Sequence, residues 1–195
     1  HIDTVIFDKT GTLTEGRLTL REIRPLRDLD ADRCLALAAA LENRSEHPIA
    51  RAFGFSPLQA QQIESQPGMG LQGVIDGQLL RIGRPDYVCA LAGQPIPAPP
   101  SPYGQWLLLG SEQGPIAWFA LDDQLRGDAP DLLAACRQMG WHTLLLSGDS
   151  SPMVQEVARE LGIEDARGGL TPDDKLAVLQ DLYAKGHRVL MLGDG

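Results

Sequence analysis

The sequence has no long apolar run. No segment approaches the roughly eighteen apolar residues a membrane helix needs, and no signal peptide is recognisable at the start. Cysteine is sparse: Cys34, Cys89 and Cys136 are widely spaced, with no Cys-x-x-Cys pair and no Cys/His cluster. That pattern argues against a disulfide frame or a zinc site and for reduced thiols in a cytosolic compartment. No Lys/Arg cluster offsets the formal net charge of −9, so nucleic acid and anionic membrane surfaces are poor partners. A bound nucleotide would need magnesium and oriented N–H groups, because the bulk charge opposes phosphate. What remains is an ordinary soluble composition, 43% hydrophobic and 22% charged over 195 residues, enough for one large domain or two small ones. His1-Ile2-Asp3 opens almost directly on a strand and Gly193-Asp194-Gly195 stops in a loop, so the chain reads as a piece of something larger.

One stretch organises the rest. Val5-Ile6-Phe7 reads as a short buried strand that delivers Asp8 into the loop Lys9-Thr10-Gly11-Thr12-Leu13-Thr14. A carboxylate at the C-terminal end of a strand, before a Gly-containing loop, sits where open α/β sheets bind ligands. It is placed to attack a phosphoryl group as a covalent nucleophile.

Leu18 to Arg24 partly alternates and predicts a strand leading away. Asp30 can cap a helix over 31–42 with Cys34, Leu35, Leu37, Ala38 and Leu41 on its apolar face, and Pro48 starts a second helix. Between them lies Ser45-Glu46-His47-Pro48, where the His–Pro pair makes a turn, or the imidazole and carboxylate serve an adenine. Gly68-Met69-Gly70-Leu71-Gln72-Gly73 has Gly-x-Gly-x-x-Gly spacing but no strand–turn–helix around it, so a dinucleotide fingerprint is excluded. Residues 74–83 read as a hairpin turning at Asp76-Gly77, and residues 94–102, with five prolines, as an extended loop. A second hairpin turns at Glu112-Gln113-Gly114.

From Leu121 the pattern becomes helix and strand in alternation, as a parallel sheet requires. Asp128 caps a helix to Met139, and a strand over 143–146 ends at Ser147-Gly148-Asp149. Ser151 and Pro152 start the next helix, which Gly162 stops. Thr171-Pro172-Asp173-Asp174 predicts a capping box for a helix to Lys185, and a strand over 188–192 closes the chain. Asp8, Ser147 and Asp194 all follow predicted strands and converge on one crevice, with Lys175 in a helical first turn able to point there.

Asp8-Lys9-Thr10-Gly11-Thr12-Leu13-Thr14 resembles the phosphorylation signature of P-type ATPases, and Ser45-Glu46-His47-Pro48 the nucleotide-domain signature of their heavy-metal-transporting members. Asp123-Gln124-Leu125-Arg126 is similar to the Asp-x-x-Arg/Lys hinge, Ser147-Gly148-Asp149 to the Thr-Gly-Asp loop, Pro172-Asp173-Asp174-Lys175 to Pro-x-x-Lys, and Gly193-Asp194-Gly195 to the start of Gly-Asp-Gly-x-Asn-Asp. The resemblance implies an α/β, haloacid-dehalogenase-like parallel-sheet core, residues 1–22 and 120–195, carrying an inserted α+β nucleotide-binding domain, residues 23–119.

It further implies that Asp8 takes the γ-phosphoryl group of ATP, that Lys175 neutralises it, and that Ser147 and Thr10 hydrogen-bond its oxygens. Asp8, Thr10 and Asp194 would hold Mg²⁺; Glu46, His47, Gly68, Gly70 and Gly83 would hold the nucleotide, with Gly148 and Asp149 also on the nucleotide side. Movement near residues 22–24 and 120–123 would swing ATP to Asp8. The family usually has Asn where this chain has Arg84. Related phosphatases carry a second Asp, a general acid/base, at the position of Thr10. The implied function is the headpiece of a heavy-metal pump, first Cu(I), alternatively zinc or cadmium, at the cytoplasmic face of a bacterial inner membrane. Its partners would be ATP, the transported cation in the membrane helices, and an actuator domain. The alternatives are a haloacid-dehalogenase-like phosphatase and a regulatory nucleotide-binding module.

Overall fold

The computed structural model describes residues 1–102, 104–150 and 152–193. In chain order come β1 (Thr4–Asp8), β2 (Thr14–Pro25), α1 (Ala31–Glu42), α2 (Ala50–Phe53), β3 (Gln61–Gln66), β4 (Gly70–Ile75), β5 (Gln78–Gly83) and α3 (Pro85–Ala92). Then follow β6 (Gln105–Ser111), β7 (Gly114–Leu125), α4 (Ala129–Gln138), β8 (His142–Leu146), α5 (Met153–Leu161), β9 (Asp165–Arg167), α6 (Pro172–Ala184) and β10 (Val189–Leu192). They fall into two units, His1–Arg17 with Asp123–Gly195 and Leu18–Asp122. The chain passes from one to the other within β2 and again within β7.

In the first unit a parallel sheet has the order β10-β1-β8-β9. The period-2 alternation of β1 sets its layers. Val5 and Phe7 pack with Leu133 and Cys136 of α4 and Val157 and Leu161 of α5, whereas Ile6 joins Leu144, Leu146 and the α6 residues Val178 and Leu179 on the opposite side. Strand order reverses at β1, since β8 lies to one side of it and β10 to the other. That makes the C-terminal end of β1 the switch point where a ligand crevice opens.

The second unit holds the antiparallel run β3-β4-β5-β6-β7, with β2 beside β7. Leu37, Leu41 and Phe53 from α1 and α2 cover Leu107, Leu109 and Phe119, while α3 sets Val88 and Cys89 against Leu108 and Trp118. The parallel core with an antiparallel α+β insert is the expected architecture.

Local signals account for most helix ends. The Asp30 carboxylate accepts from the Arg33 N–H at 2.7 Å, and Thr171 and Asp174 form the expected capping box at 3.1 and 2.9 Å. Gly162, at φ 70°, ends α5. Other expectations needed correction. Asp128 does not cap α4 through its side chain, because Arg126 engages that carboxylate at 3.1 and 3.4 Å. The helix expected from Pro48 covers only Ala50–Phe53, since Gly54 turns the backbone to φ 71°. The cap expected at Ser151 lies outside the described residues.

Candidate active site and nucleotide cleft

Asp8 ends β1, and the loop behind it is fixed from within the first unit. Gly11 takes φ 77°, a conformation that suits a residue without Cβ, and its N–H donates to Thr14 Oγ1 at 3.1 Å. Thr14 Oγ1 in turn donates to Asp123 Oδ2 at 2.7 Å. The other oxygen of Asp123 accepts from the N–H groups of Gly16 and Arg17 at 2.9 and 3.2 Å. Lys9 is buried and pairs with Asp149 Oδ2 at 2.7 Å. Thr10, by contrast, is exposed at the tip of the loop.

Three further segments close on the same strand end. The first turn of α6 places Lys175 Nζ 3.8 Å from Asp8 Oδ1, with each side chain 23% exposed. Ser147 follows β8 and is buried, and its Oγ accepts from the Asp149 N–H at 3.0 Å. Gly148 lies between them, and Asp149 serves Lys9 rather than Asp8. After β10, a Cβ on Gly193 would stand 2.6 Å from the Cβ of Asp8, so only glycine permits this approach. Asp194, the next residue, lies outside the described residues.

The Asp8 carboxylate accepts no hydrogen bond from the described residues, and Lys175 is its only close charge partner among them. Unused carboxylate oxygens in a polar loop fit a hard, oxygen-seeking cation such as Mg²⁺. No preformed cluster of three or more His, Cys, Asp or Glu occurs among the described residues.

The second unit contains a cleft of about 330 Å³ whose lining includes Glu42, His47, Gly68, Gly70, Gly83 and Arg84. Gly70 and Gly83 pair across β4 and β5 at φ 151° and 144°. A Cβ on Gly70 would collide with the Ile82 carbonyl oxygen, and one on Gly83 with that of Met69. Gly68, at φ 74°, faces open space and serves the turn alone. Ile49 N–H donates to His47 Nδ1 at 3.2 Å, which makes Nδ1 an acceptor and leaves the proton of the neutral ring on Nε2.

The carboxylate in this cleft is that of Glu42; Glu46 is exposed and does not line it. The turn after α1 decides this. Ser45 N–H donates to the Glu42 carbonyl at 2.9 Å, and Ser45 Oγ accepts from the His47 N–H at 3.2 Å, which brings His47 round to the cleft. Glu42 is 7% exposed, its carboxyl has no hydrogen-bond partner among the described residues, and burial pushes that carboxyl from 4.5 up to about 7. One signal could have found it: Glu42 follows Ala38 by one helical turn, so it is a carboxylate on the apolar face of α1.

The haloacid dehalogenase-like hydrolase profile matches residues 2–195. The chain belongs to that family. This haloacid dehalogenase-like chain is 37% identical over 204 residues to the Probable copper-transporting ATPase SynA of Synechococcus sp., covering 100% of itself and 26% of that protein. It is 32% identical over 202 residues to the Copper-exporting P-type ATPase of Mycobacterium tuberculosis, again covering 100% of itself and 26% of the relative. The chain therefore spans about a quarter of the length of the curated relatives it matches.

Among solved structures it is similar to the catalytic domain of the CPx-ATPase CopB-B, at 29% identity and TM-score 0.75, covering 100% of this chain and 72% of that one. It is also similar to a zinc-transporting PIB-type ATPase in the E2.Pi state, at 27% identity and TM-score 0.82, covering 100% and 33%. Among the described residues no helix of the haloacid dehalogenase-like chain is long and apolar enough to cross a membrane.

Proposed function

We propose that this chain is the ATP-binding and phosphorylation headpiece of a heavy-metal P-type ATPase, acting at the cytoplasmic face of a membrane. The observation that carries the reading is the Asp8–Lys175 pair at the switch point of the parallel sheet, 3.8 Å apart. The unit His1–Arg17 with Asp123–Gly195 is the phosphorylation domain, and Leu18–Asp122 is the nucleotide-binding domain.

An Asp8 oxygen attacks the γ-phosphorus of ATP, the bond from that phosphorus to the β–γ bridging oxygen breaks, and ADP leaves with the electron pair. Such a reaction needs positioning and charge neutralisation more than covalent chemistry from other residues. Lys175 supplies positive charge beside the transferred group, and the hydroxyls of Ser147 and Thr10 donate to its oxygens. Mg²⁺, held by Asp8, the Thr10 carbonyl and Asp194, would screen the carboxylate from the phosphate. Thr10 also sets the lifetime of the product. Its hydroxyl does not act as a general base at neutral pH, so the aspartyl-phosphate persists instead of being hydrolysed at once, as a phosphatase requires.

Adenine is held in the cleft by Glu42, which accepts from the exocyclic amine, and by His47 through Nε2–H or ring stacking. Gly70 and Gly83 admit close backbone approach, and the turn at Gly68 lines the cleft beside them. Support for Cu(I) as cargo is the naming of the relatives SynA and the M. tuberculosis protein as copper transporters; zinc is the second reading, because one structural neighbour transports zinc. The partners are then ATP, an actuator domain and membrane helices carrying the cation.

The test uses the full-length protein with γ-labelled ATP, Mg²⁺ and acid quench. Hydroxylamine-labile label that disappears in Asp8→Asn is the expected result, and its stimulation by Cu(I) or Zn(II) identifies the ion. Absence of acid-stable label in the wild type at saturating ATP and either metal would refute the pump reading.

A further inference from the structure

The cleft holds one formal cation. Among its lining residues Arg84 is the only lysine or arginine, and Glu42 the only carboxylate. The position of Arg84 is set by its backbone: its N–H donates to the Met69 carbonyl at 2.8 Å, next to the Gly70–Gly83 contact. Its side chain is 60% exposed and meets Asp86 through Nε and Nη2, both at 3.2 Å. Nη1 has no protein partner among the described residues.

We infer that Arg84 is a specificity-determining residue that reads the phosphate charge of the nucleotide in this cleft, with Asp86 competing for its guanidinium in the unliganded chain. The inference rests on the proposed nucleotide-binding role of the cleft. A volume of about 330 Å³ is at the small end for ligand sites, so once the base and sugar occupy the buried part beside Glu42, the phosphates extend to the exposed rim. Arg84 stands there. The chain is acidic overall, at −9, so bulk charge repels the polyphosphate and the local cation determines whether it is tolerated. The planar fork of Arg84 suits bidentate phosphate binding. Its ion pair with Asp86 is half exposed and therefore weak enough to be exchanged for a phosphate.

The experiment is calorimetric titration of the 195-residue chain with adenosine, AMP, ADP and ATP, without Mg²⁺. The readout is the ratio of ATP to adenosine affinity. In the wild type it should be roughly tenfold, the scale of one charge-assisted contact, and should shrink with added salt. Arg84→Asn should bring the ratio to about twofold or less, Arg84→Lys should retain part of it, and Asp86→Asn, which frees the guanidinium, should raise it. A wild-type ratio of one, or an unchanged ratio in Arg84→Asn, overturns the role of Arg84 while adenosine binding leaves the cleft reading in place. Failure of the wild type to bind any of the four overturns both.

Discussion

Glu42→Gln should stabilise the nucleotide-binding unit by a margin that grows as pH rises from 4.5 and is complete above about 7. In the folded chain this buried carboxyl keeps its proton until about pH 7, whereas an exposed one releases it near 4.5. Between those values the unfolded state binds fewer protons than the folded state, so stability falls as pH rises through that window and is level above it. The rise from 4.5 to about 7 corresponds to about 3 kcal/mol between the two limits. Gln has the shape of the protonated acid and no proton to lose, so the variant escapes this penalty. At pH 8 it should exceed the wild type by up to ~3 kcal/mol, on the order of 10 °C in the melting of a unit this size; near pH 4.5 the two should coincide. Urea unfolding followed by fluorescence tests this directly, because Trp106 and Trp118 both lie within Leu18–Asp122. A gain of equal size at pH 4.5 and 8, or a loss at pH 8, would refute the argument that ionising Glu42 in a desolvated cleft is what costs stability.

Gly70→Ala should lose more than about 2 kcal/mol and adenosine binding with it, because the new methyl meets backbone; Gly68→Ala, with open space around it, should cost only about 1 kcal/mol for its left-handed conformation. Calorimetric melting of both variants separates the two. Asp149→Asn leaves the buried Lys9 ammonium without its charge partner and should cost about 2 kcal/mol, less than a fully buried pair would. Combining it with Lys9→Met should recover part of that loss in a double-mutant cycle of chemical denaturation midpoints. Thr171→Ala removes the hydroxyl that accepts from the Asp174 N–H and should destabilise by about 1 kcal/mol in thermal melts, with phosphorylation slowed because Lys175 sits in that first turn.

The first unit was legible because its signals are local. Val5-Ile6-Phe7, the Thr171 capping box and Gly162 each act over a few residues, and Asp8, Ser147 and Gly193 are found at ends of strands the pattern had marked. β3 and β9 were not foreseen. β3 is Gln-Gln-Ile-Glu-Ser-Gln, an edge strand with a register shift and almost no apolar side chain to betray it, and β9 has only three residues. α3 was also missed, although Pro85 opens it and Gly93 closes it at φ 66°. In the cleft, His47 and the glycines could be named only through the resemblance of their motifs to those of the heavy-metal pumps, and that resemblance did not supply the choice of Glu42 over Glu46. That choice depends on the Ser45 turn, whose hydrogen bonds involve the end of α1 and the backbone of His47. The Lys9–Asp149 and Thr14–Asp123 contacts join residues more than a hundred positions apart, a separation that no local pattern bridges.

The chain leaves the parallel core along β2 and returns along β7, and these strands are neighbours. Thr19 Oγ1 even donates to the Asp122 carbonyl at 3.2 Å, one step inside the crossing. On the core side, Asp123 ties down the N–H groups of Gly16 and Arg17. The two points where the insertion is sewn in are therefore about one strand spacing apart, ~4.8 Å. Residues 18–122 form a cassette: cutting it out leaves a gap in the core that a two-residue turn spans, and the excised piece keeps its own ends side by side. A gene carrying such a core could gain, lose or exchange this cassette in a single event without moving any strand of the parallel sheet.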